Sequence, residues 1–251
     1  MTPTIYIVSA VSVFFFSGLM SMGGFGAAFI FVPLFYYLGV PLAEALPTAL
    51  LLNVVSLIFA TVNYYRGGLI NWRISLPILI TAVLLAPLGA RTTPFVDRDL
   101  LLGMFSGFLV FSGLMMLFYK PALRTKPLNR TVESSAGAAV GGIAGFFGGL
   151  LGVGGGGFIS PVLNFLGIDA KVAAGSTAIV VVFSSFSGFL GHVTLGGLSP
   201  VFLGLMALMS ALGSIVGSQV VKTRVSSPQL KKIIGVLIII IAAKIIFDIA
   251  R

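Results

Sequence analysis

The chain has 251 residues, 58% of them apolar and only 8% charged, with a mean hydropathy of +1.14. A soluble domain carries about 25% charged residues, so this composition excludes a soluble fold and implies an all-α integral membrane protein. Cysteine is absent, which removes disulfides, thiolate catalysis and cysteine metal sites. The net charge of +9 is spread over short loops with no dense basic run, which fits the loop bias that orients membrane proteins and not a nucleic-acid-binding arm.

The first apolar stretch, residues 5–22, lacks a basic flank and a small-x-small cleavage site, and is expected to be a retained span. It runs into a glycine cluster, Gly18-Leu19-Met20-Ser21-Met22-Gly23-Gly24-Phe25-Gly26. A short apolar segment follows at 26–39, then longer ones at 45–65, 73–93 and 100–119. Residues 120–135 hold the one dense polar stretch, expected to be a cytoplasmic linker. The pattern then starts again with 136–153, which ends in Gly149-Leu150-Leu151-Gly152-Val153-Gly154-Gly155-Gly156-Gly157. A second short segment, 157–168, leads to 172–192, 198–221 and 231–249. A full span needs about 20 residues, so 26–39 and 157–168 are too short to cross comfortably.

The two halves repeat. A shift of 129 residues maps Thr48 to Thr177, Asn63 to His192 and Gly67-Gly68-Leu69 to Gly196-Gly197-Leu198. A shift of 131 maps Gly18 to Gly149, and Gly23, Gly24 and Gly26 to Gly154, Gly155 and Gly157. A shift of 128 maps Pro33 to Pro161 and Gly39 to Gly167. The expected organisation is therefore a first transmembrane repeat at 1–119, a linker at 120–135 and a second repeat at 136–251.

Each glycine cluster is either a kink in one crossing or the apex of a hairpin, and loop charge discriminates between them. With kinks, basic residues divide almost evenly between the two sides. With hairpins, only Arg91, Arg98, Lys244 and Arg251 lie outside, while Arg66, Arg73, Lys171, Lys222, Arg224, Lys231, Lys232 and the linker lie inside. The positive-inside rule selects the hairpins. The expected fold is two inverted repeats, each beginning with a glycine-broken helical hairpin followed by three spanning helices. Lys244 is expected to snorkel and to pair with Asp248 one turn on.

Glycine is the weakest ordinary helix former, and unwound backbone is tolerated at membrane depth only inside protein or beside a wet cavity. Gly137, Gly141, Gly145 and Gly149 form a small-xxx-small stripe that packs helices, within one chain or between two, so the oligomeric state stays open. Four consecutive glycines at 154–157 exceed what packing needs. Short helices that begin after Gly26 and Gly157 would aim N–H groups and a positive dipole end at the midplane, an anion site without formal charge. Candidate substrate-binding residues are Gly23, Gly24, Gly26, Gly154, Gly155, Gly156 and Gly157, with the hydroxyls of Thr48, Ser176 and Thr177 as further donors or as helix caps.

Asn53, Asn63, His192 and Gln219 are read as the polar side chains deepest in the spans, either interhelical hydrogen-bonders or coupling and gating groups. For His192, an interfacial bond is favoured over proton carriage. Glu44 is expected to cap the next helix, Arg91 to face headgroups and Trp72 to anchor at the interface. No carboxylate pair lies in a span, no nucleophile–base pair is present, and the glycine runs lack the following Lys-Ser/Thr of a P-loop. Neither an enzyme, a metal nor a cofactor is expected.

The duplicated Gly-Leu-x-x-x-Gly-Gly core carries a resemblance. In each half Pro33 or Pro161 and then Gly39 or Gly167 follow it. An Ala-rich turn then ends in Thr48-Ala49 or Ser176-Thr177-Ala178, and Gly-Gly-Leu stands at 67–69 and 196–198. The chain resembles the sulfite exporter TauE/SafE family of membrane permeases over almost its whole length. The first copy departs from the family pattern at Met22, Phe25 and Pro47. The resemblance implies transport of sulfur-containing anions such as sulfite and organosulfonates. The expected function is thus a secondary transporter of a small anion in the cytoplasmic membrane, working by alternating access, with proton coupling open and an anion channel of the same architecture as the alternative.

Overall fold

The computed structural model describes residues 3–20, 26–118, 130–193, 199–224 and 227–249. The described chain is helical: α1 Pro3–Met20, α2 Ala28–Tyr37, α3 Leu42–Arg66, α4 Trp72–Thr92, a 3-10 turn Thr93–Phe95, α5 Arg98–Phe118, α6 Arg130–Leu150, α7 Gly156–Phe165, α8 Ala170–Val193, α9 Pro200–Arg224 and α10 Ser227–Ile249. Five of these, α1, α3, α4, α5 and α8, are long and apolar enough to cross a membrane. The short α2 and α7 each carry an internal proline, Pro33 and Pro161.

Two helix starts lie well before those read in the sequence. Helix α6 starts at Arg130, inside the stretch expected to be linker, and Glu133 in its first turn joins Arg73 of α4 at 2.7 Å. A carboxylate there meets the positive helix end, so polarity did not stop the helix. Helix α10 starts at Ser227 with Pro228 at its first turn, a position where proline costs no hydrogen bond.

Helix pairings come in couples that exchange when α1–α5 are swapped with α6–α10. Helix α1 packs on α9 as α6 packs on α4; α3 packs on α9 as α8 packs on α4; α2 packs on α3 as α7 packs on α8. Helices α3 and α8, and α5 and α10, pack on each other. Their directions are fixed by residue contacts. Along α3, Leu50 lies against Gly188 and Asn53 bonds Ser185, while Tyr64 lies against Gly175, so α3 and α8 run antiparallel. Helices α5 and α10 do likewise, with Gly113 at Ile239 and Leu117 at Gly235. Helices α4 and α6 run parallel, the glycine stripe of α6 lying on the α4 backbone at Ile74, Ile78, Ala82 and Ala86. The stripe therefore packs within one chain.

Apolar side chains of α2 fill the main core. Phe29, Ile30, Phe31 and Phe35 are buried with Phe202 and Met206 of α9, Phe105 and Leu109 of α5 and Ile245 of α10. A helix apolar all round belongs inside, which is why α2 is enclosed although it is too short to span.

Candidate functional site

The second glycine cluster folds as a buried turn. Helix α6 ends at Leu150, the amides of Val153 and Gly154 both donate to the Gly148 carbonyl at 2.9 and 3.1 Å, and α7 begins at Gly156. Gly152, Gly154 and Gly155 have φ near +70 to +79°, a region glycine enters at little cost. The expectation that all four glycines at 154–157 are unwound is corrected here. Gly156 and Gly157 are helical, and glycine at 157 serves close approach: a Cβ there would lie 2.8 Å from Ser112 Oγ of α5. Ser112 donates to the Gly157 carbonyl at 3.0 Å.

The first cluster shows the same arrangement where it is described. Gly18 is helical in α1, and Gly23 and Gly24 lie outside the described residues. Gly26 has φ +77°, and Ile30 and Phe31 donate to the Ala27 carbonyl as Phe158 and Ile159 donate to that of Gly155. Gly26 therefore corresponds to Gly154, a shift of 128, and not to Gly157 as the shift of 131 implied.

Asn53 joins the two breaks. It is fully buried in α3; its Oδ1 accepts from the Ala28 amide at the start of α2, at 3.3 Å. Its Nδ2 faces Ser185 Oγ at 3.1 Å and the Val153 carbonyl at 3.4 Å. A Cβ on Gly26 would sit 1.9 Å from Asn53 Oδ1, and one on Gly154 2.7 Å from Asn53 Nδ2 and 2.1 Å from Ser185 Oγ. Glycine at both positions is what lets Asn53 fit between the breaks. Ser184 adds a bond to the Gly154 carbonyl at 3.1 Å. The starts of α2 and α7, whose first N–H groups have no partner within the helix, thus converge on one uncharged polar centre.

Thr48 and Thr177 are 1% and 0% exposed, and neither hydroxyl has a hydrogen-bond partner. Thr177 precedes Val181 by one turn of α8, on the face that meets Gly154 through Val181 and Ser185. Thr48 lies in the turns before Asn53 on α3. A buried hydroxyl is normally bonded, so this pair, 129 residues apart, stands out as available to a ligand. Ser176 is placed elsewhere: its Oγ accepts from the Asn71 amide at 3.0 Å in the α3–α4 turn. Gly154 donates its amide to Gly148, so it offers a ligand no N–H.

Asn63 is exposed in the last turn of α3, not deep in a span. His192 is buried, with Nε2 3.0 Å from the Gly149 carbonyl, tying the end of α8 to the end of α6. The side chain of Gln219 lies outside the described residues. Glu44 sits in the first turn of α3 but makes no capping bond, and its Oε2 is buried without a partner. Arg91 and Trp72 are exposed at the ends of α4. Among the described residues no group of histidines and carboxylates is placed to hold a metal ion.

Sequence reasoning missed Ser184, Ser185 and Ser112. Ser185 was findable, as the residue 129 beyond Ser56. It also missed a cluster at the end of α2. Arg98 donates to the Tyr36 hydroxyl and lies over its ring, Tyr37 donates to Asp248 at 2.7 Å, and Lys244 lies 4.1 Å from the centre of the Tyr37 ring. The expected Lys244–Asp248 pair is present at 3.4 Å.

The family model for sulfite exporter TauE/SafE matches residues 9–245, nearly the whole chain and both glycine breaks. The chain belongs to the sulfite exporter TauE/SafE family. Similar proteins of this kind include the probable membrane transporter protein YdhB of Bacillus subtilis (strain 168), 27% identical over 202 residues that cover 79% of this chain and 82% of the relative. A probable membrane transporter protein of Haemophilus influenzae is 28% identical over 218 residues, 79% of this chain and 78% of its own. Sulfite exporter TauE/SafE family protein 1 of Arabidopsis thaliana is 39% identical over 80 residues, 32% of this chain and 18% of the relative. This TauE/SafE chain is thus a helical membrane protein of a transporter family, with Asn53 buried between the breaks that precede its two short helices.

Proposed function

We propose that the protein is a secondary carrier that moves a small anion, a sulfur oxyanion or organosulfonate, across the cell membrane by alternating access between two inverted repeats, 1–119 and 136–251. The observation that carries this reading is the convergence of the α2 and α7 starts on Asn53, beside the unpartnered hydroxyls of Thr48 and Thr177. Two positive helix ends favour a negative ligand, and discontinuous helices of this kind form the midplane sites of carriers. The antiparallel run of α3 against α8 supports inverted repeats, since kinked crossings would leave those helices parallel. The anion meets α2 and α7 amides, those of Gly155, Gly156 and Gly157 included, with both threonine hydroxyls. In a cell negative inside, the potential favours anion export by about 2.3 kcal/mol per charge per 100 mV.

The test is flux of sulfite, an organosulfonate, sulfate and chloride in proteoliposomes, for the native chain, Thr48→Val and Thr177→Val. A bond from each hydroxyl to a charged ligand is worth about 1.5–3 kcal/mol, so each variant weakens apparent affinity by about tenfold or more. Neither variant loses thermal stability, because the hydroxyl has no partner to lose. Saturable flux selective for one sulfur anion is expected. Ohmic chloride conductance, or flux untouched by both variants, defeats the carrier site.

A further inference from the structure

We infer that the cavity between α5, α6 and α7 is a binding site for one acyl chain of the surrounding lipid. Its volume is about 380 Å³, the size of a small-ligand pocket. Its back wall is Leu151 of the glycine turn, Phe158 in the first turn of α7 and Phe108 of α5. At its mouth stand Phe111, Ile143 and Phe147, which are 37%, 49% and 38% exposed on the outer faces of α5 and α6. Large apolar side chains exposed on the outer face of a membrane protein face lipid, so the mouth opens toward the bilayer interior.

The walls carry no hydrogen-bonding side chain. Apolar cavities of this kind stay dry, and an anion would lose its hydration without compensation. An alkyl chain has what the cavity lacks: carbon contacts, each small but collectively large when a void is filled. In a membrane, acyl chains are the one such solvent at the mouth. The site is distinct from the polar centre at Asn53 and does not depend on what is transported. It shares one wall with it, because Phe158 and Leu151 belong to the half-helix and turn that lead into the break. An inserted chain would therefore prop α7 where its first turn meets α5.

The test uses tryptophan emission quenched by lipid brominated mid-chain. Trp72 is the one tryptophan in the sequence, so Trp72→Phe provides a dark background. Phe158→Trp then reports from the cavity, and Phe29→Trp, from a side chain 2% exposed in the first turn of α2, reports from the closed core. Both are reconstituted in phosphatidylcholine vesicles with a rising brominated fraction. The expected result is loss of most Phe158→Trp emission, falling in proportion to the brominated fraction as one occupying chain requires, with Phe29→Trp nearly unchanged. Emission from Phe158→Trp that survives as well as that from Phe29→Trp overturns the site. So does a steeper fall, which marks contact with many lipids and not one. If Phe158→Trp does not yield a monodisperse protein, Phe108→Trp reads the same wall with the same outcomes.

Discussion

Asn53 has one side-chain acceptor and two donor hydrogens, and the fold uses them on three different segments: the α2 amide, the Val153 carbonyl and Ser185. Truncation to alanine leaves those groups buried and unpaired, a loss of about 1–3 kcal/mol. Asn53→Ala is expected to lower the melting temperature in detergent, and Asn53→Asp to lower it further, since a carboxylate would face the Val153 carbonyl and a charge at this depth is costly. Equal melting of all three forms would show that Asn53 does not hold the breaks together. Gly154→Ala has no room, with φ +70° and Ser185 Oγ 2.1 Å from the new Cβ, whereas nothing lies within 4 Å of a Cβ on Gly204 in α9. Gly204→Ala is expected to melt at or above the native temperature, because alanine is favoured in a helix by about 0.8–1.0 kcal/mol; Gly154→Ala is expected to melt well below it. Asn53 could be read in the sequence as a buried polar residue because it lies among apolar neighbours. Its partners could not, because they depend on a turn whose register no local pattern fixes. The same gap explains the shift of three residues between Gly26–Gly157 and the true Gly26–Gly154 correspondence.

At the scale of helices, the seam between α4 and α6 is set by glycine spacing. Gly141, Gly145 and Gly149 each bring their Cα so near the α4 backbone that a Cβ would lie 2.0–2.5 Å from a carbonyl of Ile78, Ala82 or Ala86. Small residues four apart let helices close to backbone contact where lipid gives no hydrophobic drive. Gly145→Leu must push α6 away, and with it the start of the 151–155 turn. Loss of a monodisperse peak on size exclusion is expected, while Gly142→Ala, whose new Cβ would meet only Leu85 Cδ1 at 3.2 Å, keeps it. A normal peak for Gly145→Leu would show that this seam yields without cost. The stripe was visible in the sequence because its period of four is local. What it packs on was not, since partner choice is made by the tertiary fold. The early start of α6 escaped for a related reason: hydropathy marks where a helix enters lipid, and the Arg73–Glu133 pair holds a turn that lies beyond it.

For the whole molecule, the proposed inverted topology draws support from contacts and from charges by independent routes. The antiparallel α3 and α8 put Gly175, one turn after Lys171, against Leu69, just beyond Arg66. The cluster at Tyr36 and Tyr37 gathers Arg98 and Lys244 at another common end. Hairpin topology requires both groupings, with Arg66 and Lys171 inside and Arg91, Arg98 and Lys244 outside. Kinked crossings instead put Lys171 with Arg91, and Lys244 with Arg66. The chain has no cysteine, so single substitutions report without background. Arg91→Cys and Lys244→Cys are expected to react with a membrane-impermeant maleimide on intact cells. Arg66→Cys and Lys171→Cys are expected to react only after the membrane is opened. Labelling of Lys171→Cys together with Arg91→Cys, and of Lys244→Cys together with Arg66→Cys, would restore the kinked reading. It would also remove the geometry on which alternating access between the two halves depends, because parallel repeats cannot present opposite ends of α2 and α7 to the two sides of the membrane.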